Sequence, residues 1–271
     1  MEQIKQIITQ AGVPCFGVCS FDAVLPLLPC RAANRLPGGA KSVLVCLFPY
    51  YVGDFPTRNL SRYAIVDDYH LLTRALLEKA AEALRKAFPE HSFESFVDSS
   101  PVREVQAGYL AGLGFIGKNG QLITEGYGSY CFIGEIITTL ELPAASPSRK
   151  NCGRCNLCQN ACPNGAIGER GAIDTAKCRS HITQKKGELT AFEQQTIKQG
   201  GFVWGCDICT DICPYNRSPK LTPLEEFYRD IVHTLTEENL YALCKTRAFG
   251  WRGAGVLERN LQLTDGHSQV R

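Results

Sequence analysis

Eight of the 14 cysteines fall between positions 152 and 213, and this concentration constrains the fold more than any other feature of the 271-residue sequence. The N-terminus, MEQIKQIITQ, lacks the basic start and apolar run of a secretion signal, so we expect a cytoplasmic protein. In a reducing compartment, so many cysteines indicate metal or redox chemistry rather than disulfides. The other six lie in apolar surroundings, where a small buried side chain is expected; they are Cys15, Cys19, Cys30, Cys46, Cys131 and Cys244.

The spacing within this region predicts two four-iron clusters. The first group reads Cys152-x2-Cys155-x2-Cys158-x3-Cys162-Pro163, a pattern typical of bacterial ferredoxins, in which the fourth cysteine binds the other cluster. The second group reads Cys206-x2-Cys209-x3-Cys213-Pro214 and is one ligand short, and the isolated Cys178 replaces it. We therefore assign Cys152, Cys155, Cys158 and Cys213 to one [4Fe-4S] cluster, and Cys162, Cys178, Cys206 and Cys209 to the other.

Zinc is the alternative metal for these cysteines. A structural zinc site usually takes its thiolates from two separated Cys-x2-Cys pairs, whereas here three cysteines follow one another at x2 spacing before a Cys-Pro pair. The spacing therefore favours iron–sulfur clusters. Two adjacent clusters each carry one electron, so they indicate a redox function and can feed a two-electron reaction in steps.

The composition divides the chain into three parts. Residues 1–145 alternate strand-like and helix-like segments, including a long amphipathic helix predicted over Val66–Phe88, and indicate a mixed α+β domain. A composition break at Pro143–Pro147 leads into residues 146–219, which are rich in Cys, Gly, Asn and Pro, as expected where metal organises the fold. Residues 220–271 are predicted to form a helical tail that is too short for an independent domain.

A glycine-rich stretch, AGYLAGLGFIGKNGQLI, places Gly112, Gly114 and Gly117 in the spacing G-x-G-x-x-G. In a dinucleotide site, these glycines follow a strand and open a helix. Here Val102–Ala111 is predicted to be a helix and Asn119–Thr124 a strand, so the glycines close a helix. The sequence therefore favours a glycine cap with a tight turn over a nucleotide site.

Several motifs taken together resemble the epoxyqueuosine reductases, which are cobalamin-dependent iron–sulfur enzymes of queuosine biosynthesis in tRNA, related to reductive dehalogenases. The motifs follow in order along nearly the whole chain and read RYA-x3-DYH from Arg62, VDSSPVRE, AGLGFIGKN, GSYCFIGEI, CGRCNLCQNACPNGAI and GCDICTDICPYN. The resemblance implies a nitroreductase-like cobalamin and substrate domain over residues 1–145. A bacterial-ferredoxin-like domain with two clusters is implied over 146–219, followed by the tail.

The resemblance also implies site residues. Asp98 matches the aspartate proposed as general acid, which would protonate the oxygen of an opening epoxide, and a carboxylic acid kept neutral in an apolar site suits that task. The alternative is an aspartate that caps the helix after Pro101. Tyr69 and His70 match as well, but such residues at a helix start are more often structural. Cobalamin contacts are implied for Arg62, Tyr63, Gly112, Gly114, Gly117, Lys118, Asn119 and Ser180.

The implied partners are tRNA and an electron donor such as a flavodoxin or ferredoxin, with no membrane. The chain corresponds to a short form without the C-terminal helical repeats of the family, and Ser100 replaces a glycine in the aspartate motif. The formal net charge is only +2, whereas nucleic-acid-binding proteins usually carry a stronger basic footprint. Two alternatives therefore remain open. The same cofactors could act on a small-molecule epoxide or organohalide, or the chain could be an iron–sulfur electron-transfer protein without cobalamin.

Overall fold

The computed structural model describes residues 1–265 and shows a mixed α/β structure. The strands are β1 (Cys15–Ser20), β2 (Ser42–Pro49), β3 (Phe93–Val97), β4 (Gly114–Ile116), β5 (Leu122–Thr124) and β6 (Cys131–Thr138). The helices are α1 (Glu2–Gln10), α2 (Tyr69–Ala87), α3 (Glu104–Leu110), α4 (Leu157–Ala161), α5 (Arg179–Thr183), α6 (Ala191–Lys198), α7 (Ile208–Asp211), α8 (Leu240–Leu243) and α9 (Ala254–Asp265). The last part of the predicted tail, residues 266–271, lies outside the described residues.

Four strands form an antiparallel sheet in the order β1-β2-β6-β3. All eight residues of β2 are buried, because α1 and α2 cover one face of the sheet and α3 covers the other. β6 pairs with β2 along its whole length, with Ser42 opposite Thr138 and Pro49 opposite Cys131. The sheet is therefore the rigid support from which β3 and β6 present their side chains.

Helix α2 begins later than its amphipathic pattern predicts. The pattern starts at Val66, but the helix starts at Tyr69 because the Asp68 side chain accepts a hydrogen bond from the backbone N–H of His70 at 3.0 Å and caps the helix there. This cap places His70 in the first helical turn. The end of the helix, at Ala87, agrees with the prediction to within one residue.

The glycine stretch closes a helix, and this prediction is confirmed. Helix α3 ends at Leu110, Gly112 takes a left-handed φ of 72°, and the chain continues into the β4–β5 hairpin. Gly114 must be glycine, because a Cβ there would lie 2.3 Å from the carbonyl oxygen of Ile123. No strand–glycine–helix turn for a pyrophosphate is formed by this segment.

The cysteine-rich segment and the tail pack back onto the first part of the chain. Leu60 and Ala64 share an apolar core with Trp204, Phe249 and Leu257. Trp204 is fully buried, so this contact fixes the loop before α7 against the segment before α2. Within residues 1–265, no helix combines the length and the apolar character that crossing a membrane requires.

Candidate functional site

The eight cysteines of the two groups line two separate cavities. A cavity of about 270 Å³ is lined by Cys152, Cys155, Cys158 and Cys213, and one of about 420 Å³ is lined by Cys162, Cys178, Cys206 and Cys209. We call them the first and the second cysteine cavity. The structure thus brings together the same two sets of four thiols that the spacing assigned.

Burial and the charges of neighbouring thiols make Cys209 and Cys213 hard to ionise on their own. Burial, with the charges of Cys206 and Cys178 as neighbours, raises the pKa of Cys209 to about 12. Burial likewise raises the pKa of Cys213, with Cys152 and Cys155 adding to the shift. Four sulfur donors that line one cavity become stable as thiolates once cations compensate their charge, so each donor set fits an iron–sulfur cluster.

Lys118 and Asn119, in the turn of the β4–β5 hairpin, support the cysteine loops. The Lys118 ammonium donates to the carbonyl oxygen of Cys155 at 2.9 Å and to Oδ1 of Asn156 at 2.6 Å. Asn119 is buried and lines both cysteine cavities, and its Nδ2 donates to the carbonyl oxygen of Cys209 at 3.4 Å. The hairpin therefore lies between the two sites.

The glycines expected to contact a corrin do not reach either the large cavity described next or the second cysteine cavity. Gly112 and Gly114 border a shallow groove with Lys150, and Gly117 closes the hairpin turn. Lys118 lines only the first cysteine cavity. Their spacing serves helix termination and hairpin geometry, which explains the motif without a ligand.

A large cavity of about 860 Å³ lies beside the second cysteine cavity, at the end of β3 and the start of α2. Tyr63 and Tyr69 line both cavities, so the two are neighbours across these rings. The Tyr63 hydroxyl accepts a hydrogen bond from the Trp204 indole N–H at 2.6 Å, which fixes the ring. Ser180 lines the second cysteine cavity. The volume is in the range of sites for small molecules and cofactors.

Arg62 does not line any of these cavities. It is buried and pairs with Asp54 at 2.6 Å and with Asp211 at 3.0 Å, and its guanidinium lies against the rings of Tyr51 and Tyr130. Because Asp211 is the last residue of α7, this ion pair anchors the segment that carries Cys206 and Cys209. The structure gives Arg62 a role in holding the second cysteine group, and its contact with a cofactor stays a prediction.

Asp98 and His70 lie next to each other in the lining of the large cavity. Asp98 directly follows β3 and has a φ of 58°, which is unusual for a residue other than glycine and is found preferentially at functional sites. His70 Nδ1 lies 2.6 Å from Asp68 Oδ1, and His70 Nε2 lies 3.7 Å from Asp98 Oδ2. The imidazole is thus held between two carboxyl groups.

The protonation of this pair differs from the expectation that Asp98 is a neutral carboxylic acid. Burial lowers the pKa of His70, but the hydrogen bond to Asp68 and the nearby Asp98 carboxylate outweigh it and raise that pKa to about 9. The charged imidazole of His70, 3.7 Å away, lowers the pKa of Asp98. At neutral pH the proton of the pair is therefore on His70, and Asp98 is a carboxylate.

The mouth of the large cavity carries an exposed aromatic residue that sequence reasoning missed. Trp251 is 62% exposed and lines the cavity, and the Arg252 guanidinium lies 3.7 Å from the centre of its ring. Arg35 and Arg74 line the same cavity. The only sequence signal was a Trp-Arg pair in a polar segment, which is too common to single out.

Two family models match the chain. The model described as a 4Fe-4S double cluster binding domain matches residues 151–216, and the model described as epoxyqueuosine reductase QueG, DUF1730 matches residues 31–99. The first covers both cysteine cavities except for the lining residues from the hairpin, from residues 50–69 and from β6. The second includes His70 and ends just after Asp98.

Curated relatives are epoxyqueuosine reductases. The chain is similar to the one from Vibrio cholerae, at 32% identity over 84% of this chain and 70% of the relative, and to the one from Cyclobacterium marinum, at 37% identity over 76% and 68%. It is 35% identical to the one from Aliivibrio fischeri over 63% of this chain, and there it spans only 46% of the relative's length.

Solved structures show the same fold. The epoxyqueuosine reductase from Streptococcus thermophilus superimposes with a TM-score of 0.83 at 24% identity, covering 100% of this chain and 82% of that one. An epoxyqueuosine reductase in complex with an epoxyqueuosine-modified tRNA-Tyr stem loop gives a TM-score of 0.82 at 25% identity, covering 98% and 80%. A B12-dependent reductive dehalogenase gives 0.51 at 18% identity, covering 97% and 37%.

Proposed function

We infer that this chain, which belongs to the epoxyqueuosine reductase family, is an oxidoreductase that reduces epoxyqueuosine to queuosine in tRNA. One observation carries the proposal: the second cysteine cavity shares Tyr63 and Tyr69 with the large cavity that contains Asp98 and His70. Clusters in the cysteine cavities therefore lie next to a site that can bind substrate and move a proton. An electron carrier alone does not need the large cavity.

We assign the proposed functions to three consecutive parts of the chain. Residues 1–145 form a nitroreductase-like domain for cobalamin and substrate, 146–219 form a ferredoxin-like domain, and 220–271 form the tail. The first [4Fe-4S] cluster is assigned to Cys152, Cys155, Cys158 and Cys213, and the second to Cys162, Cys178, Cys206 and Cys209. The second cluster is then the one nearer the substrate.

The residues around the two shared rings fit a large planar cofactor. Tyr63, Tyr69 and Ser180 would hold cobalamin where the large cavity and the second cysteine cavity adjoin, and Asn119 lines the cluster side. Cobalamin held there would supply a strongly reducing metal centre next to the second cysteine cavity. The apolar faces of the tyrosine rings exclude water from that contact.

The proton chemistry is assigned to Asp98 and His70. Opening an epoxide leaves negative charge on oxygen, and a positioned acid lowers that barrier. His70 carries the proton and passes it to Asp98, 3.7 Å from Nε2, which extends into the cavity and delivers it to the substrate oxygen. Asp68 holds the imidazole from the other side through the 2.6 Å contact with Nδ1.

The mouth of the cavity fits a nucleic acid better than a small apolar molecule. An exposed tryptophan with a stacked arginine is the kind of platform on which bases stack, and it lies at the entrance, where a nucleotide next to the modified base would pass. Arg35 and Arg74 line the same cavity and can meet phosphates, next to the carboxylates of Asp68, Glu78 and Asp98. The proposed electron donor is a flavodoxin or a ferredoxin. The proposed location is the cytoplasm, because its reducing conditions keep the thiolates available.

An anaerobic experiment tests the cofactor assignment. Protein reconstituted with iron and sulfide is mixed with cob(II)alamin, and EPR is recorded before and after addition of the epoxyqueuosine stem loop. We expect a stoichiometric change to a protein-bound, base-off cob(II)alamin signal, followed by conversion of the stem loop once a reductant is added. An unchanged free cob(II)alamin signal with both clusters present would instead identify an electron carrier. Bound cobalamin with turnover of only small epoxides or organohalides would exclude the tRNA substrate.

A further inference from the structure

One buried arginine in the second cysteine cavity has no role in the mechanism above. Arg179 directly follows Cys178 and is the first residue of α5, and it is only 6% exposed. Its Nε is buried without a hydrogen-bond partner, and its guanidinium makes no ion pair within the part of the chain that the structure describes. A buried cation without a partner is costly, so this side chain calls for an explanation.

The cavity itself contains no free counter-charge for Arg179. Among the described residues, Arg179 is the only cationic side chain that lines the cavity, and Asp207 is the only carboxylate. One oxygen of Asp207 accepts a hydrogen bond from the Ser61 hydroxyl at 2.5 Å. The other oxygen accepts from the backbone N–H of Arg62 at 2.8 Å and from the Arg58 guanidinium at 3.2 Å. Asp207 is therefore already compensated, whereas the positive charge of Arg179 is not.

Tight packing fixes the Arg179 side chain at the cavity wall. Gly200 lies two residues after the end of α6, and a Cβ at this position would be 2.8 Å from Nε and 3.0 Å from Cζ of Arg179. Any larger residue would displace the guanidinium, so glycine permits the close approach. The guanidinium thus packs against Gly200 and lines the cavity, where a bound anionic group would meet it.

The anionic group that fits this cavity is the thiolate set assigned to the second cluster. Arg179 shares the cavity with the four thiols of that set, which are Cys162, Cys178, Cys206 and Cys209. Burial raises the pKa of Cys206, and the charge of Arg179 is among the effects that lower it, as expected for neighbouring groups. Four thiolates exceed the positive charge of an oxidised four-iron core, so the occupied site is negatively charged.

A buried cation at this place affects how easily the cluster is reduced. Reduction adds one negative charge, and the potential of an iron–sulfur cluster depends on charge, hydrogen bonds to sulfur and solvent exposure. A desolvated charge acts more strongly than an exposed one, because water screens the exposed charge. Arg179 is desolvated, so it favours the reduced form of the second cluster.

We propose that Arg179 is the counter-charge of the second cluster and raises its reduction potential, which makes the cluster beside the large cavity a favoured site for an electron. A low-potential one-electron carrier supplies that electron and is oxidised as the cluster is reduced. The use of the electron at the large cavity rests on the proposed function, whereas the effect of Arg179 on the potential does not.

Redox titration followed by EPR tests the proposal on anaerobically reconstituted protein without cobalamin, with the signals assigned by Cys178→Ser, which alters a ligand of the second cluster only. Arg179→Gln keeps a polar side chain but removes the charge. At a fixed potential we expect it to lower the ratio of reduced to oxidised second cluster at least about tenfold, which is about 59 mV for a one-electron couple. The first cluster should titrate as in the wild type.

Two further variants separate the charge from other effects. Arg179→Lys keeps the charge and should restore most of the wild-type potential. Arg154→Gln is the matched control, because Arg154 also lies next to a cysteine ligand but is exposed, and it should leave both clusters unchanged. An unchanged second-cluster potential in Arg179→Gln would overturn the proposal. If cobalamin binding weakens instead, the cation serves an anionic group of cobalamin.

Pulsed EPR of the wild type provides a test that does not require Arg179→Gln to retain the second cluster. With isotopically labelled arginine, we expect a nitrogen coupling to the reduced second cluster that is absent in Arg179→Lys. No arginine coupling in the wild type would refute the contact. Because these measurements need neither cobalamin nor tRNA, a shifted potential in a protein that does not reduce the stem loop would refute the proposed function alone.

Discussion

At the scale of single residues, Asp98 combines a strained backbone with an ionised side chain. Its left-handed conformation costs about 1–3 kcal/mol in a residue other than glycine, and the surrounding structure holds it in place. The sequence motif and its family resemblance were enough to select Asp98. They could not give its protonation state, which depends on His70 from an element 28 residues earlier and on Asp68 behind it.

Asp98→Asn should abolish most of the activity. Asparagine keeps the size of the side chain but cannot carry the proton, so we expect a loss of at least about 100-fold in single-turnover rate with unchanged iron content and stem-loop affinity. Mass spectrometry of the stem loop measures the rate. Near-normal turnover in this variant would remove Asp98 from the mechanism.

The His70 pKa sets a pH window for the ion pair. Because the folded-state pKa of about 9 exceeds the unfolded value of about 6.5, His70 stabilises the fold fully below pH 6.5, and this contribution is lost as the pH rises through about 9. The pKa of Asp98 is lowered, so its contribution is present above about pH 4 and is lost on further acidification. An NMR titration of His70, assigned with His70→Gln, should give a midpoint near 9 that falls in Asp98→Asn. A midpoint near 6.5 in the wild type would contradict the ion pair.

At the scale of secondary-structure elements, the sequence predicted where helices and strands lie, but it did not predict the tertiary contacts that each element makes. The α3 helix, the strand after the glycines and the end of α2 follow from periodicity and turn residues. Lys118 and Arg62 were expected at a cofactor. In the structure both side chains hold cysteine-bearing segments that are distant in sequence, and no local pattern predicts such contacts.

Lys118 should stabilise the first cluster through its contacts with Cys155 and Asn156. We expect Lys118→Met, which keeps the aliphatic chain and removes the charge, to speed loss of the first cluster to a chelator while the second cluster persists. EPR of the reduced clusters distinguishes the two. The exposed Lys150→Met is the control, since Lys150 pairs with Glu125 on the surface. Equal loss of both clusters in Lys118→Met would argue against this role.

The turn that carries Trp251 and Arg252 should contribute to substrate binding. Trp251→Ala is expected to weaken stem-loop binding by about 1–3 kcal/mol, the range for one stacked base, whereas Trp251→Phe should retain much of the affinity. Fluorescence anisotropy of a labelled stem loop measures this, and iron content should not change. Wild-type affinity in Trp251→Ala would place the nucleic acid elsewhere.

At the scale of the whole molecule, three cavities follow one another. The first and second cysteine cavities share Asn119, and the second cysteine cavity and the large cavity share Tyr63 and Tyr69. The cysteine spacing predicted two sets of ligands from local sequence alone. The order of the sites could not be predicted, because it depends on how the hairpin, the segment before α2 and the tail pack together.

The most direct test of this account is the anaerobic conversion of an epoxyqueuosine-modified tRNA stem loop by the reconstituted protein, with mass spectrometry of the product. With both clusters, cobalamin and a low-potential reductant present, we predict a product that has lost one oxygen atom, and none when cobalamin is omitted. An unmodified substrate in the complete mixture, with both clusters and bound cobalamin verified by EPR, would contradict the central claim.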